Sequence, residues 1–212
     1  MDVHPPEGTI HSWRDFFVHL VVITLGLLIA LGLEGVVEWG HNRHLVHTAE
    51  ANLRTELLAN RKTLADDLRF LDDAQKQGER QVSILAASRG KNHGTTNHGT
   101  TDLTFHWSWD GPASAAWDTA RNTGAVALMN YRVAQTYSEI YSQQDLVSSQ
   151  AHAFIRDIYR TGAPVQAGRG LKDLKPAEVD TMLANAQQTL ADLKLLRDFS
   201  VNLSQQYEKA PE

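Results

Sequence analysis

The sequence has no cysteine, and that removes several chemistries at once. A disulfide framework, a thiolate zinc site, an iron–sulfur cluster and a thiol nucleophile are all excluded. A basic surplus is missing too. The 20 Lys and Arg are outnumbered by 25 Asp and Glu, for a formal net charge of -5. Nucleic-acid binders usually carry a basic face, so no nucleic-acid partner is expected. No glycine-rich phosphate loop, no G-x-S-x-G elbow and no H-E-x-x-H pair occurs in the chain. The expectation is therefore a protein without enzymatic activity and without a cofactor. The 212 residues suffice for one domain plus an appendage.

What the chain does have is one long apolar run, "FFVHLVVITLGLLIALGLEGVVEW", at residues 16–39. Within 16–33 only His19 and Thr24 are polar. A membrane span needs about 20 mainly apolar residues. As a helix, residues 13–39 rise about 39 Å, which places Trp13 and Trp39 at the two interfaces where tryptophan concentrates. A cleaved signal would have a basic start, a shorter apolar stretch and a small-residue cleavage site. Here Arg14 is the only Lys or Arg ahead of the run, and the run ends on Glu38 and Trp39. The pattern predicts an uncleaved transmembrane helix over 14–39 behind an N-terminal tail, 1–13. Arg14 precedes it and Arg43 and Arg54 follow, too small an asymmetry to orient it. A short tail before a large C-terminal domain suits a signal anchor. The expected location is a bacterial inner membrane, single-pass, with the domain in the periplasm.

The remainder reads as helix. Leu45, Ala49, Leu53, Leu57, Leu64, Leu68, Leu71, Val82 and Leu85 mark a long helix over 40–88 that leaves the membrane without a strong breaker. Gly78 is the expected bend. Residues 89–112 form a loop with the tandem Asn-His-Gly-Thr-Thr repeat at 92–96 and 97–101. His93 and His98 there fit a flexible linker better than a metal site. Phe105, Trp107 and Trp109 alternate with polar residues, so this stretch is extended with one aromatic face. It is either a strap over the end of the helices or a contact for a partner or the membrane surface. The other helices occupy 113–208. A short one has Pro112 in its first turn and Gly124 past its end; a second is capped by Asn130, carries a stripe of Val133, Tyr137, Ile140, Gln144, Val147, Ala151, Phe154 and Ile158, and reaches about Tyr159; after a loop "TGAPVQAGRG" the last starts at Pro176 and carries Val179, Met182, Ala186, Leu193, Leu196, Leu203 and Tyr207 on one seam. The fold class expected is all-α: the transmembrane helix continues into an antiparallel helical bundle of three long helices plus one short helix.

The string "GLLIALGLEGVVEW" followed by "LRTELLANRKTL" resembles uncharacterised bacterial proteins with one N-terminal span and a helical domain. "AWDTARNTGAVALMNYRVAQTYSEIY" resembles the second block of that group, a helix, a Thr-Gly turn and a Tyr-ended helix. The resemblance covers the anchor and roughly half of the domain. It implies this architecture and no catalytic residues. The acidic, histidine-bearing N-terminal tail departs from it.

On a helical wheel His19, Gly26, Ala30, Glu34, Glu38 and His41 share an arc of roughly 120°. Gly26 and Ala30 form a small-xxx-small pair that lets another helix approach closely, with Glu34 one turn on. These three are the candidate helix–helix interface. The competing reading has Glu34 reaching to water past Trp39. Glu38 and His41 match Glu-x-x-His, the spacing of di-iron bundles, but no second copy exists in the chain. They remain weak metal candidates, while His41, His44 and His47 read as a solvated collar. His19 is a weak candidate ligand for a haem or pigment. The expected partners are lipid and other transmembrane helices, as a homo-oligomer or within a larger complex. The leading function is a structural or accessory subunit of a membrane assembly. The alternative is a periplasmic ligand-binding or sensory domain.

Overall fold

The computed structural model describes residues 13–89, 103 and 105–211. The repeat at 92–101, with His93 and His98, lies outside the described residues. Five α-helices are present: α1 (Trp13–Ser88), α2 (Ala115–Asn122), α3 (Ala125–Leu128), α4 (Tyr131–Gln166) and α5 (Pro176–Tyr207), with a 3₁₀ turn at Leu171–Asp173. No strand occurs among the described residues. The chain divides into two compact units, residues 1–48 and 49–212, and α1 contributes to both.

The first unit is the N-terminal part of α1. Every residue from 13 to 41 is exposed. Among described residues this is one helix long and apolar enough to cross a membrane. The uncovered leucines, valines and isoleucines exceed the patches that soluble monomers usually leave open.

The second unit holds the buried core. Along α1 the buried positions Ala49, Leu53, Leu57, Asn60, Leu64, Asp67, Leu71 and Ala74 step by four and three, the spacing of one helix face. Tyr137, Ile140, Gln144, Val147, Ala151 and Phe154 do the same on α4, as the sequence pattern predicts. Val179, Met182, Ala186, Leu193, Leu196, Leu203 and Tyr207 are the matching stripe of α5. Between α4 and α5, Gln143 donates to Phe199 O, Gln150 donates to Asp192 O, and Thr161 pairs with Thr189 at 3.1 Å.

Several boundaries differ from the sequence reading. Gly78 does not interrupt α1, whose helical pattern runs through it. A Cβ there would meet Leu190 Cδ1 at 3.3 Å, so the glycine serves close approach of α5. Pro112 is not in the first turn of α2; that helix opens at Ala115. Gly124 does follow it, at φ +78°, and immediately caps the extra one-turn helix α3. Asn130 caps α4, accepting the Arg132 N–H at 3.0 Å. Helix α4 runs to Gln166 rather than stopping near Tyr159, although Pro164 lies inside it. A proline removes one backbone bond and favours a break. Packing overrides that here: Thr161 is buried, and Val165 packs against a core of Leu85, Leu174, Val179 and Met182.

The α4–α5 connection is held by charge. Arg169 grips both oxygens of Glu178 at 2.7 and 2.9 Å, and the Lys175 N–H donates to Glu178 Oε2 at 2.7 Å. These partners, the Arg169 guanidinium first, hold the Glu178 carboxyl at about 2, well below the usual carboxylate range. A carboxylate with a depressed native pKa stabilises the fold above its unfolded value, and that contribution disappears as pH falls through the native one. Comparing acid unfolding of the wild type and Glu178→Gln measures it. The wild-type advantage is expected to be complete above about pH 4.5 and to vanish by about pH 2.

Candidate functional site

Two regions carry the candidate residues, one in each unit. In the first, Gly26, Ala30 and Glu34 fall on one stripe of α1, one turn apart. All three are exposed, and a Cβ built on Gly26 meets nothing within 4 Å. The stripe is therefore shallow and open along its length. His19 donates from Nδ1 to Asp15 O at 2.8 Å, the carbonyl one turn back. That bond leaves Nε2 facing outward. Thr24 bonds Leu20 O in the same way at 2.8 Å, so neither polar side chain of residues 16–33 lacks a partner. Trp13 packs on Phe16 and Phe17, and Arg43 sits over the Trp39 ring at 5.4 Å from its centroid. Glu38 and His41 are exposed, and among the described residues no three His, Asp or Glu side chains gather as a metal site.

In the second unit the aromatic segment is a strap, but it does not cross the end of the helices. It runs lengthwise down α1. Gln81 Nε2 donates to Leu103 O, the His106 N–H reaches Gln77, and Asp67 accepts the N–H groups of Asp110 and Gly111 at 3.2 and 3.1 Å. Asn60 then takes both polar groups of the Ala113 backbone, accepting its N–H at 2.8 Å and donating to its carbonyl at 2.7 Å. Glu56 accepts the Ala116 N–H at 2.8 Å. That N–H belongs to the first turn of α2, where Ser114 makes no side-chain cap, so Glu56 supplies the cap from a neighbouring helix.

The logic is that of backbone satisfaction. Segment 105–114 forms no helix or sheet ladder, and its buried N–H and C=O groups need partners from side chains. Seven residues apart in an otherwise apolar stripe, Asn60 and Asp67 provide them while only 2% and 3% exposed. Burial pushes the Asp67 carboxyl up, and its two backbone N–H bonds offset part of that rise. A second layer supports the first. Gln144 donates to Ala113 O at 3.1 Å and accepts from Asn60 and from the Tyr207 hydroxyl. The Tyr141 hydroxyl donates to Glu56 at 2.7 Å while its ring stacks on Trp117 at 5.0 Å. Burial, then the Glu56 carboxylate, drives the Tyr141 phenol well above its usual range.

The rings of the strap face the core. Phe105 meets Phe154 at 5.8 Å between centroids, Trp107 meets Phe154 at 5.4 Å and Phe70 at 5.1 Å, and Trp107 and Trp109 stack at 6.1 Å. His106, Ser108 and Asp110 alternate outward and are exposed, the period of two that the sequence predicts. Under Phe105 and Trp107 lies a cavity of about 330 Å³. Its walls come from α1, the strap, α4 and α5.

No protein-family profile, curated protein or solved structure matches this chain.

The polar clamp is absent from the sequence reading. Glu56, Asn60, Asp67, Gln144 and Tyr207 converge on residues 110–116 from up to ninety-odd positions away. One signal was available: Asn60 and Asp67 occupy buried positions of a leucine stripe, and buried polar groups require partners. The cavity has no sequence signal, because its glycine wall, Gly162, sits in a stretch that reads as loop.

Proposed function

We propose that this is a single-pass membrane protein of a bacterial inner membrane, non-enzymatic, acting as a structural or accessory subunit of a larger membrane assembly. One observation carries the reading: residues 13–41 form a helix whose apolar side chains are all uncovered, with a shallow stripe at Gly26, Ala30 and Glu34. Lipid covers the general surface of such a helix, and the stripe is where a second transmembrane helix approaches. Lipid offers no hydrophobic drive for that contact, so close van der Waals packing over small residues must hold it. Glu34 adds a hydrogen bond of about 0.6 kcal/mol, the average for bonds of this kind in membranes. The domain after residue 40 lies in the periplasm as an antiparallel bundle; the antiparallel run of α4 and α5 within it is supported by the pairing of Gln143 with Phe199, Gln150 with Asp192 and Thr161 with Thr189. The resemblance to bacterial single-span proteins agrees with this architecture.

Co-purification from native membranes tests the reading. Gly26→Ile or Ala30→Ile is expected to weaken association strongly, and Glu34→Gln mildly. Leu28→Ile, on the opposite face of the helix, should leave it unchanged. If Gly26→Ile co-purifies and resists detergent like the wild type, the stripe is not an interface.

A second reading, a ligand-binding or sensory domain, is favoured by the cavity beneath the strap.

A further inference from the structure

We infer that the cavity under Phe105 and Trp107 binds the hydrocarbon chain of a single-tailed amphiphile. This deepens the ligand-binding reading and rests on it. Three observations point there. The first is size and direction. The volume of about 330 Å³ is at the lower end of small-molecule pockets, and the lining follows α4 from Phe154 to Gln166, about 18 Å of helix. The space is elongated along the helices. The second is chemistry. Three of the polar side chains in its walls are committed elsewhere: Thr161 bonds Asp157 O and Thr189, Thr189 bonds Asn185 O, and Gln81 bonds Leu103 O. The rest of the wall is largely aromatic and aliphatic, including Phe154, Met182 and Leu193. No charged side chain lines it, so an apolar chain fits better than a charged metabolite. The third is the cost of the empty space. Unfilled apolar volume forfeits packing contacts, and a glycine inside a helix weakens it. Gly78 is accounted for by Leu190, 3.3 Å from where its Cβ would be. Gly162 is not crowded by any other element; a Cβ there would meet only the flexible Gln166 amide at 3.4 Å. Its missing side chain leaves room in the cavity, and a chain of methylenes takes that room.

The test uses the full chain in phosphatidylcholine nanodiscs and a dansyl-labelled long-chain fatty acid, read by energy transfer from tryptophan with empty discs subtracted. Saturable binding is expected, displaced by unlabelled palmitate or by lysophosphatidylcholine. The stronger competitor distinguishes a free acid from a chain carried on a headgroup, and displacement by neither overturns the proposal. Gly162→Leu fills the space. It should weaken binding at least tenfold while the melting temperature stays equal or rises. Where Gly162→Leu does not fold, Ile158→Trp on the same wall should give the same loss. No saturable signal in the wild type, or wild-type binding by a folded filling variant, would overturn the inference. Gly162→Leu should co-purify through the span as the wild type does, so failure of this site and failure of the anchor reading are separable.

Discussion

Replacing Phe154 with alanine is expected to cost about 3–5 kcal/mol of folding stability. The side chain is fully buried on α4 and is where the strap lands. Phe105 meets its edge at 5.8 Å and Trp107 lies 5.4 Å away. Aromatic contacts of this kind add about 0.5–1.5 kcal/mol each beyond the area they bury. The site also cannot collapse well. Phe154 already borders the cavity, so truncation enlarges an existing space instead of opening an isolated one. The cost of a core truncation rises with the volume left behind, which places this change toward the upper end. Denaturant unfolding of the full chain, followed by circular dichroism, gives the number. The emission of Trp107 should shift to the red in the same variant as its ring loses cover. A loss below about 1 kcal/mol would mean that the strap is not docked on α4 as described.

Asn60→Leu is the second large effect. The two side chains share the same branching and number of heavy atoms, so the change removes the hydrogen bonds while keeping the outline of the side chain. Asn60 makes three bonds: it accepts the Ala113 N–H, and it donates to Ala113 O and to Gln144. After substitution Ala113 O keeps the Gln144 amide and Gln144 keeps the Tyr207 hydroxyl. The Ala113 N–H keeps nothing. One stranded buried donor costs about 1–3 kcal/mol, and the lost bonds add to it. Gln144→Leu should couple to Asn60→Leu in a double-mutant cycle, because the two residues share the Ala113 carbonyl. Additive losses would show that the two act separately.

The helical stripes were legible because each helix must bury one face. The spacing alone located Tyr137 to Phe154 on α4 and Val179 to Tyr207 on α5, with Asn130 and Pro176 as their starts. The aromatic alternation of Phe105, Trp107 and Trp109 was legible for the same reason at a period of two. What escaped depends on partners distant in sequence. Nothing near Asn60 announces that Ala113 is its mate, and a strap across the helix ends satisfies the same alternation as one along α1. Pro164 and Gly162 read as breakers, yet Thr161 and Val165 bury against α5 and its flank and keep the helix intact. Among the candidate site residues, His19 shows how local context narrows a role: its Nδ1 is engaged by Asp15 O, so only Nε2 faces outward.

Residues 16–39 are proposed to cross a membrane and to stay there. The most direct test is the location and intact mass of the native protein after an alkaline carbonate wash of whole membranes. The expected result is a protein retained in the pellet, with its N-terminus still ahead of Trp13. Release into the supernatant, or a mature start beyond residue 30, would contradict it.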